Sequence, residues 1–146
     1  FKTMQQEFTS ATGKPTGVSP SNPLPVTLAA AASASGSTPY KLISANTTNA
    51  TSIKVGLSQV TGIQVYNSNA AARYLKIYNK ASAPTVGTDI PVKVILIPGN
   101  TAGAGSNVVT NISLSLGLAF ALTTGVADSD TNAVAANEIV VNIDYL

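Results

Sequence analysis

From Tyr40 to Leu146, apolar and polar side chains alternate with a period of two, in short runs separated by clusters of Gly, Asn, Ser, Thr and Pro. No other feature restricts the fold as much. A period of two sends successive side chains to opposite faces of an extended chain, whereas a helix needs apolar residues to recur every three or four positions. "YKLISA", "TSIKVG", "TGIQVYNS", "RYLKIYN", "IPVKVILIP", "NVVTNISL", "LAFALTTG" and "EIVVNIDYL" all read as strands. Short strands punctuated by turn residues predict an all-β fold, an antiparallel β-sandwich of about eight strands with a jelly-roll-like plan.

Residues 1–39 read differently. "ATGKPTGVSPSNPLPVTLAAAASASGSTP" mixes prolines with Gly, Ser and a tract of small residues. Proline fixes φ and removes a backbone donor, so "PSNPLPVTL" is expected to run extended. The division expected is an extended N-terminal arm over 1–39 and a sandwich domain over 40–146. Such an arm buries too little apolar area to order itself and settles only along a neighbour. Pro25, Val26 and Leu28 are its expected anchors.

Two strands carry more information than the others. In "RYLKIYN", Leu75 and Ile77 share one face and are expected in the core. Tyr74, Lys76 and Tyr78 share the other, with Lys80 just beyond, and are expected as an amphipathic surface whose ammonium groups stay in water. That face reads either as an ordinary solvated sheet or as a partner contact rich in Tyr. In "IPVKVILIP", Ile90, Val92, Val94 and Leu96 lie on one face, and Ile95 and Ile97 make the other apolar too. A strand apolar on both faces needs cover on both, so Ile95 and Ile97 join Tyr74, Lys76 and Tyr78 as expected partner-binding residues.

Catalytic chemistry is restricted by what is missing. The 146 residues contain no His, Cys or Trp, and 10% are charged. His- and Cys-ligated metal sites and Ser-His-Asp or Cys-His mechanisms are excluded on that ground. "DSDTN" alternates acidic and amide side chains as a calcium loop does at its start. Ala133 and Ile139, however, stand where that loop needs Gly and a bidentate Glu. Asp128 and Asp130 are therefore expected to cap turns through nearby backbone groups. "PGNTAGAGS" lacks the Lys-[ST] ending of a phosphate-binding loop. No catalytic residue, cofactor or metal site is expected, and the chain is read as a non-enzyme. Net charge is +2 from dispersed Lys and Arg, so neither nucleic acid nor membrane is an expected partner.

"TTNATSIKV", "NAAARYLKIYNKASAPTVGTDIPV", "IPGNTAGAG" and "GLAFALTTGVADSDTNAVAANEIVVNIDYL" together resemble a family of small β-sandwich virion proteins of tailed bacteriophages and prophages. The blocks stand in the family's order from Tyr40 to Leu146, and the arm is not covered. The resemblance implies a structural role in the virion. The leading expectation is a capsid decoration (cement) protein on the outer surface of the head, contacting the major capsid protein and forming a homo-oligomer, with a trimer as the guess. The alternatives are a neck, tail or fibre component, or a carbohydrate-binding module using Tyr66, Tyr74 and Tyr78 as its platform.

Overall fold

The computed structural model describes residues 8–9, 15–16, 36–101 and 105–146. The chain divides into two units, Phe1–Ala34 and Ser35–Leu146. In the first, β1 (Phe8–Thr9) pairs antiparallel with β2 (Pro15–Thr16). Pro25, Val26 and Leu28 lie outside the described residues, as does most of the expected arm.

The second unit is an antiparallel β-sandwich, with no helix among the described residues. Its strands are β3 (Thr38–Ile43), β4 (Thr51–Val55), β5 (Ser58–Asn67), β6 (Arg73–Asn79), β7 (Lys93–Ile97), β8 (Ser106–Leu114), β9 (Gly117–Thr123) and β10 (Ile139–Tyr145). One sheet runs β3-β10-β5-β8 and the other β4-β9-β6-β7. First pairs with last (β3 with β10), second with seventh (β4 with β9), third with sixth (β5 with β8) and fourth with fifth (β6 with β7). This is one long antiparallel ribbon rolled up so that successive strand pairs fall in alternate sheets, which is the jelly-roll plan. The sandwich begins at Thr38 and so takes in Thr38 and Pro39, which composition groups with the arm. Pro39 is tolerated because β3 is an edge strand, where a missing donor breaks no central ladder.

The alternating residues meet between the sheets. Val60, Ile63, Val65, Val141 and Ile143 from one sheet face Leu75, Ile77, Ile95, Ile97, Leu118, Phe120 and Leu122 from the other. Tyr40 closes on the Phe120 ring edge-to-face, with centroids 5.8 Å apart. Each fully buried Leu, Ile or Phe contributes about 1.5–3 kcal/mol from its area alone.

β9 is buried along its whole length, on both faces. Leu118, Phe120 and Leu122 point into the core, while Ala119 and Ala121 point outward beneath loops and pack with Tyr78. Alanine is needed there, because register sets Tyr78 beside Ala119 and Lys76 beside Ala121. A larger residue would collide with the ring. Gly117 opens the strand at φ 154°, where an added Cβ would stand 2.6 Å from the Lys54 carbonyl oxygen and 2.7 Å from that of Lys80. Two backbones close on this residue, so no side chain fits.

Candidate functional site

Leu75 and Ile77 are in the core as expected, but the other face of β6 is not solvated. Lys76 and Tyr78 have essentially no exposed surface, and Tyr74 is half-buried. Residues 80–92 and 124–137 cover this side of the sheet. The two segments meet where Gly87, at φ 86°, packs directly against Thr131 and Ser129, close enough that an added Cβ would clash with Thr131 Cγ2 at 2.5 Å and crowd the Ser129 carbonyl oxygen at 3.2 Å. Val86 packs against Tyr78. Asp89 holds the first segment in shape, pairing with Lys80 and accepting a hydrogen bond from Thr85 N at 2.6 Å. The Lys80 hydrogen bond and the Thr85 amide hold its carboxyl below the usual range.

Lys76 donates from Nζ to the carbonyl oxygens of Ala127 at 2.6 Å and Asp130 at 3.2 Å, with that of Asp128 at 3.5 Å. Asp130 caps the same turn, as its spacing predicts. Its carboxylate accepts from Gly125 N at 3.1 Å, Asn132 N at 3.2 Å and Asn132 Nδ2 at 2.7 Å. Burial pushes the Asp130 carboxyl up, but these hydrogen bonds and the Lys76 charge together bring it below its ordinary value. Burial pushes the Lys76 ammonium down, partly offset by the charges of Asp130 and Asp128. Burial also raises the Tyr78 phenol, reinforced by Asp128 and Asp89. The loop whose opening residues imitate a calcium site thus curls its carbonyls around the protein's own cation. Among the described residues, no cluster of three or more acidic side chains is placed to hold a metal.

Two corrections to the expected partner surface follow. Lys76 and Tyr78 are committed to internal packing and offer nothing to a partner. Ile95 and Ile97 face the core and are equally unavailable. The exposed apolar half of "IPVKVILIP" is its other face, where Ile90, Val92 and Leu96 are between 53% and 77% exposed beside or on the edge strand β7. Tyr74 stands next to Leu96 across the β6–β7 pair and is the one expected partner residue of this group that keeps some surface.

A further exposed apolar group lies outside the expected partner residues. Val55, Leu57, Leu116 and Leu146 are between 44% and 77% exposed at one end of the sandwich. Two corners bring them together, β4 to β5 through Gly56–Leu57 and β8 to β9 through Ser115–Leu116, each carrying the ribbon from one sheet to the other. The corners are tied by Gly56 N donating to Leu116 O at 2.9 Å. Leu146 joins them by exchanging backbone hydrogen bonds with Gln59. A hollow of about 310 Å³ lies there, lined by Lys54, Leu57, Ser58, Gln59, Ser113 and Leu146. The Ser58 hydroxyl is buried at its wall with no hydrogen-bond partner among the described residues. The sequence carried a signal for this end. "VGL" places large apolar residues on both sides of a turn glycine, and "SLGL" places Leu116 in the turn that leads into Gly117, where polar residues are the rule.

No family model, curated protein or solved structure matches the chain.

Proposed function

We propose that this chain is a structural protein of a tailed-bacteriophage virion, a capsid decoration protein that seats the apolar end of its sandwich on the major capsid protein. The observation that carries the reading is the group Val55, Leu57, Leu116 and Leu146, exposed at one end of the two-sheet body, where Leu57 and Leu146 line a hollow. Large apolar side chains exposed near one another mark an interaction site, and a pocket bordered by such side chains is where contact energy concentrates. The jelly roll is an architecture used in viral shells, and on its own a fold admits many tasks. The absence of His and Cys and the dispersed charge favour adhesion over catalysis. Contacts between copies are assigned to the strip of Ile90, Val92 and Leu96 along β7, which gives the proposed homo-oligomer a separate surface.

Substituting Leu57→Asp and Leu116→Asp together tests this reading, since both side chains are exposed and the fold does not depend on them. Affinity for undecorated heads is expected to fall by about a hundredfold or more. Unchanged particle binding by a variant with a wild-type circular dichroism spectrum would remove the apolar end from the account.

A further inference from the structure

The outer face of the β3-β10-β5-β8 sheet is built differently from that of its partner sheet. Side chains facing out from its strands form three rows across the sheet. The middle row is Lys41, Asn142, Gln64 and Asn107, in register on four adjacent strands. To one side lie Pro39, Asp144 and Gly62; to the other lie Ile43, Val140 and Tyr66. The strands that carry the three carboxamides run about 4.8 Å apart. Gln59 and Asn111, further along the same face, bond to each other. The side chains of Asn142, Gln64 and Asn107 make no hydrogen bond among the described residues.

Gly62 adds no side chain to its row, and a hollow of about 290 Å³ opens there. Its walls come from Thr61, Gln64, Asn107, Asn142 and Asp144. The Cβ that Gly62 lacks would stand 3.3 Å from Asp144 Oδ2. Four residues along β5 from Gly62, about 13 Å away and beyond the walls of the hollow, the half-buried Tyr66 ring is pressed against Gly105. An added Cβ at Gly105 would lie 2.7 Å from the ring, so the aromatic is braced from one side by backbone.

From these features we propose that the trough centred on Gly62, Gln64, Asn107 and Asn142 binds a neutral saccharide chain, one ring in the hollow and the next ones reaching along the sheet toward Tyr66. Each carboxamide presents an acceptor and two donors in a fixed plane, a match for vicinal hydroxyls that both donate and accept. Three such groups in a row suit a chain of hydroxylated rings, and a braced Tyr face packs against the C–H side of a sugar ring. The charges bordering the trough are one of each sign, Lys41 and Asp144. That balance disfavours nucleic acid and acidic polymers, which call for a basic patch. A hollow near 300 Å³ is at the small end of ligand sites, as expected for one sugar ring seated within a longer bound chain. The inference does not rest on the virion reading. It replaces the platform of Tyr66, Tyr74 and Tyr78 expected from sequence, since Tyr78 is buried and Tyr74 stands on the other sheet.

The test is titration calorimetry of the full chain against cello-, malto-, manno-, xylo- and chito-oligosaccharides. At least one series is expected to bind. Asn142→Ala combined with Gln64→Ala should weaken that binding by about tenfold or more, through the loss of two hydrogen-bonding groups. Gly62→Ala, which narrows the hollow, should weaken it independently. Ser82→Ala, on an exposed loop of the other sheet, should leave it unchanged. Failure of every series to bind at millimolar concentration, or binding indifferent to the trough substitutions, would overturn the proposal. Since no virion particle enters the assay, its outcome is separate from that of the head-binding experiment.

Discussion

Replacing Lys76 with alanine is expected to cost the sandwich about 3–5 kcal/mol, a large part of the stability of an ordinary domain. Two losses combine. The four-carbon stem fills space beside Ala121, and removing it leaves a cavity. The ammonium is hydrogen-bonded to the carbonyls of Ala127 and Asp130; that of Ala127 also accepts from Asp130 N, so the loss falls mainly on the partly buried Asp130 carbonyl, at about 1–3 kcal/mol for a buried group left unpaired. Lys76→Met keeps most of the volume and isolates the second loss, so it should be the milder variant. Chemical denaturation followed by far-ultraviolet circular dichroism measures both. A cost below about 1 kcal/mol for the alanine variant would mean that the side chain behaves as an ordinary surface lysine.

The same burial sets a pH signature. Lys76 titrates below its ordinary value of 10.5 in the folded protein, because burial disfavours the charge. Between the lowered value and 10.5 the unfolded chain binds more protons than the folded one, so stability rises with pH through that window. The advantage of wild type over Lys76→Met should therefore grow as pH is raised from neutral toward 10.5. Tyr78 works in the opposite direction above pH 10, since its raised value makes the folded state resist ionisation. Comparing two proteins that both retain Tyr78 cancels that contribution to first order.

The second large effect is expected at the ion pair between Arg73 and Glu138. Arg73 opens β6 in one sheet, and Glu138 directly precedes β10 in the other, so the pair clasps the two layers together. Their side chains are 12% and 3% exposed. Neither Arg73 Nε nor Glu138 Oε1 has another partner among the described residues, so each depends on the other. Glu138 Oε2 accepts from Ala135 N at 2.6 Å, which holds the carboxylate in place.

Arg73→Met should therefore strand a buried charge and cost about 3–5 kcal/mol at pH 7. Adding Glu138→Leu to that variant should recover much of the loss, since neither charge then remains to be desolvated. No recovery in the double variant would argue that the arginine acts only by packing.

Much of the architecture was legible because strand alternation survives in single residues. Ile63 and Val65 are buried while Gln64 and Tyr66 are turned out, as their spacing requires. The errors came where alternation leaves orientation open. "VKVILI" is apolar on both faces, so its pattern is satisfied either way up. The fold places Ile95 and Ile97 inward and leaves Leu96 in solvent.

Lys76 departs from its expected place on the wet face for another reason. A lysine in an alternating run normally marks the wet face, but the group that buries this one lies 51 residues downstream in a loop. Local periodicity carries no record of that cover. The apolar end is only faintly legible in the sequence because Val55 and Leu57 belong to one corner and Leu116 to another, and only the rolled ribbon joins them. The trough has a similar origin, since Gln64, Asn107 and Asn142 become neighbours only through register.

Electron microscopy of purified particles carrying a gold-labelled copy of this chain tests the central claim most directly. A decoration protein seated through its apolar end predicts gold distributed over the head shell, and its loss from heads when Leu57 and Leu116 are both changed to aspartate. Label confined to neck or tail, or absent from particles altogether, would contradict the account.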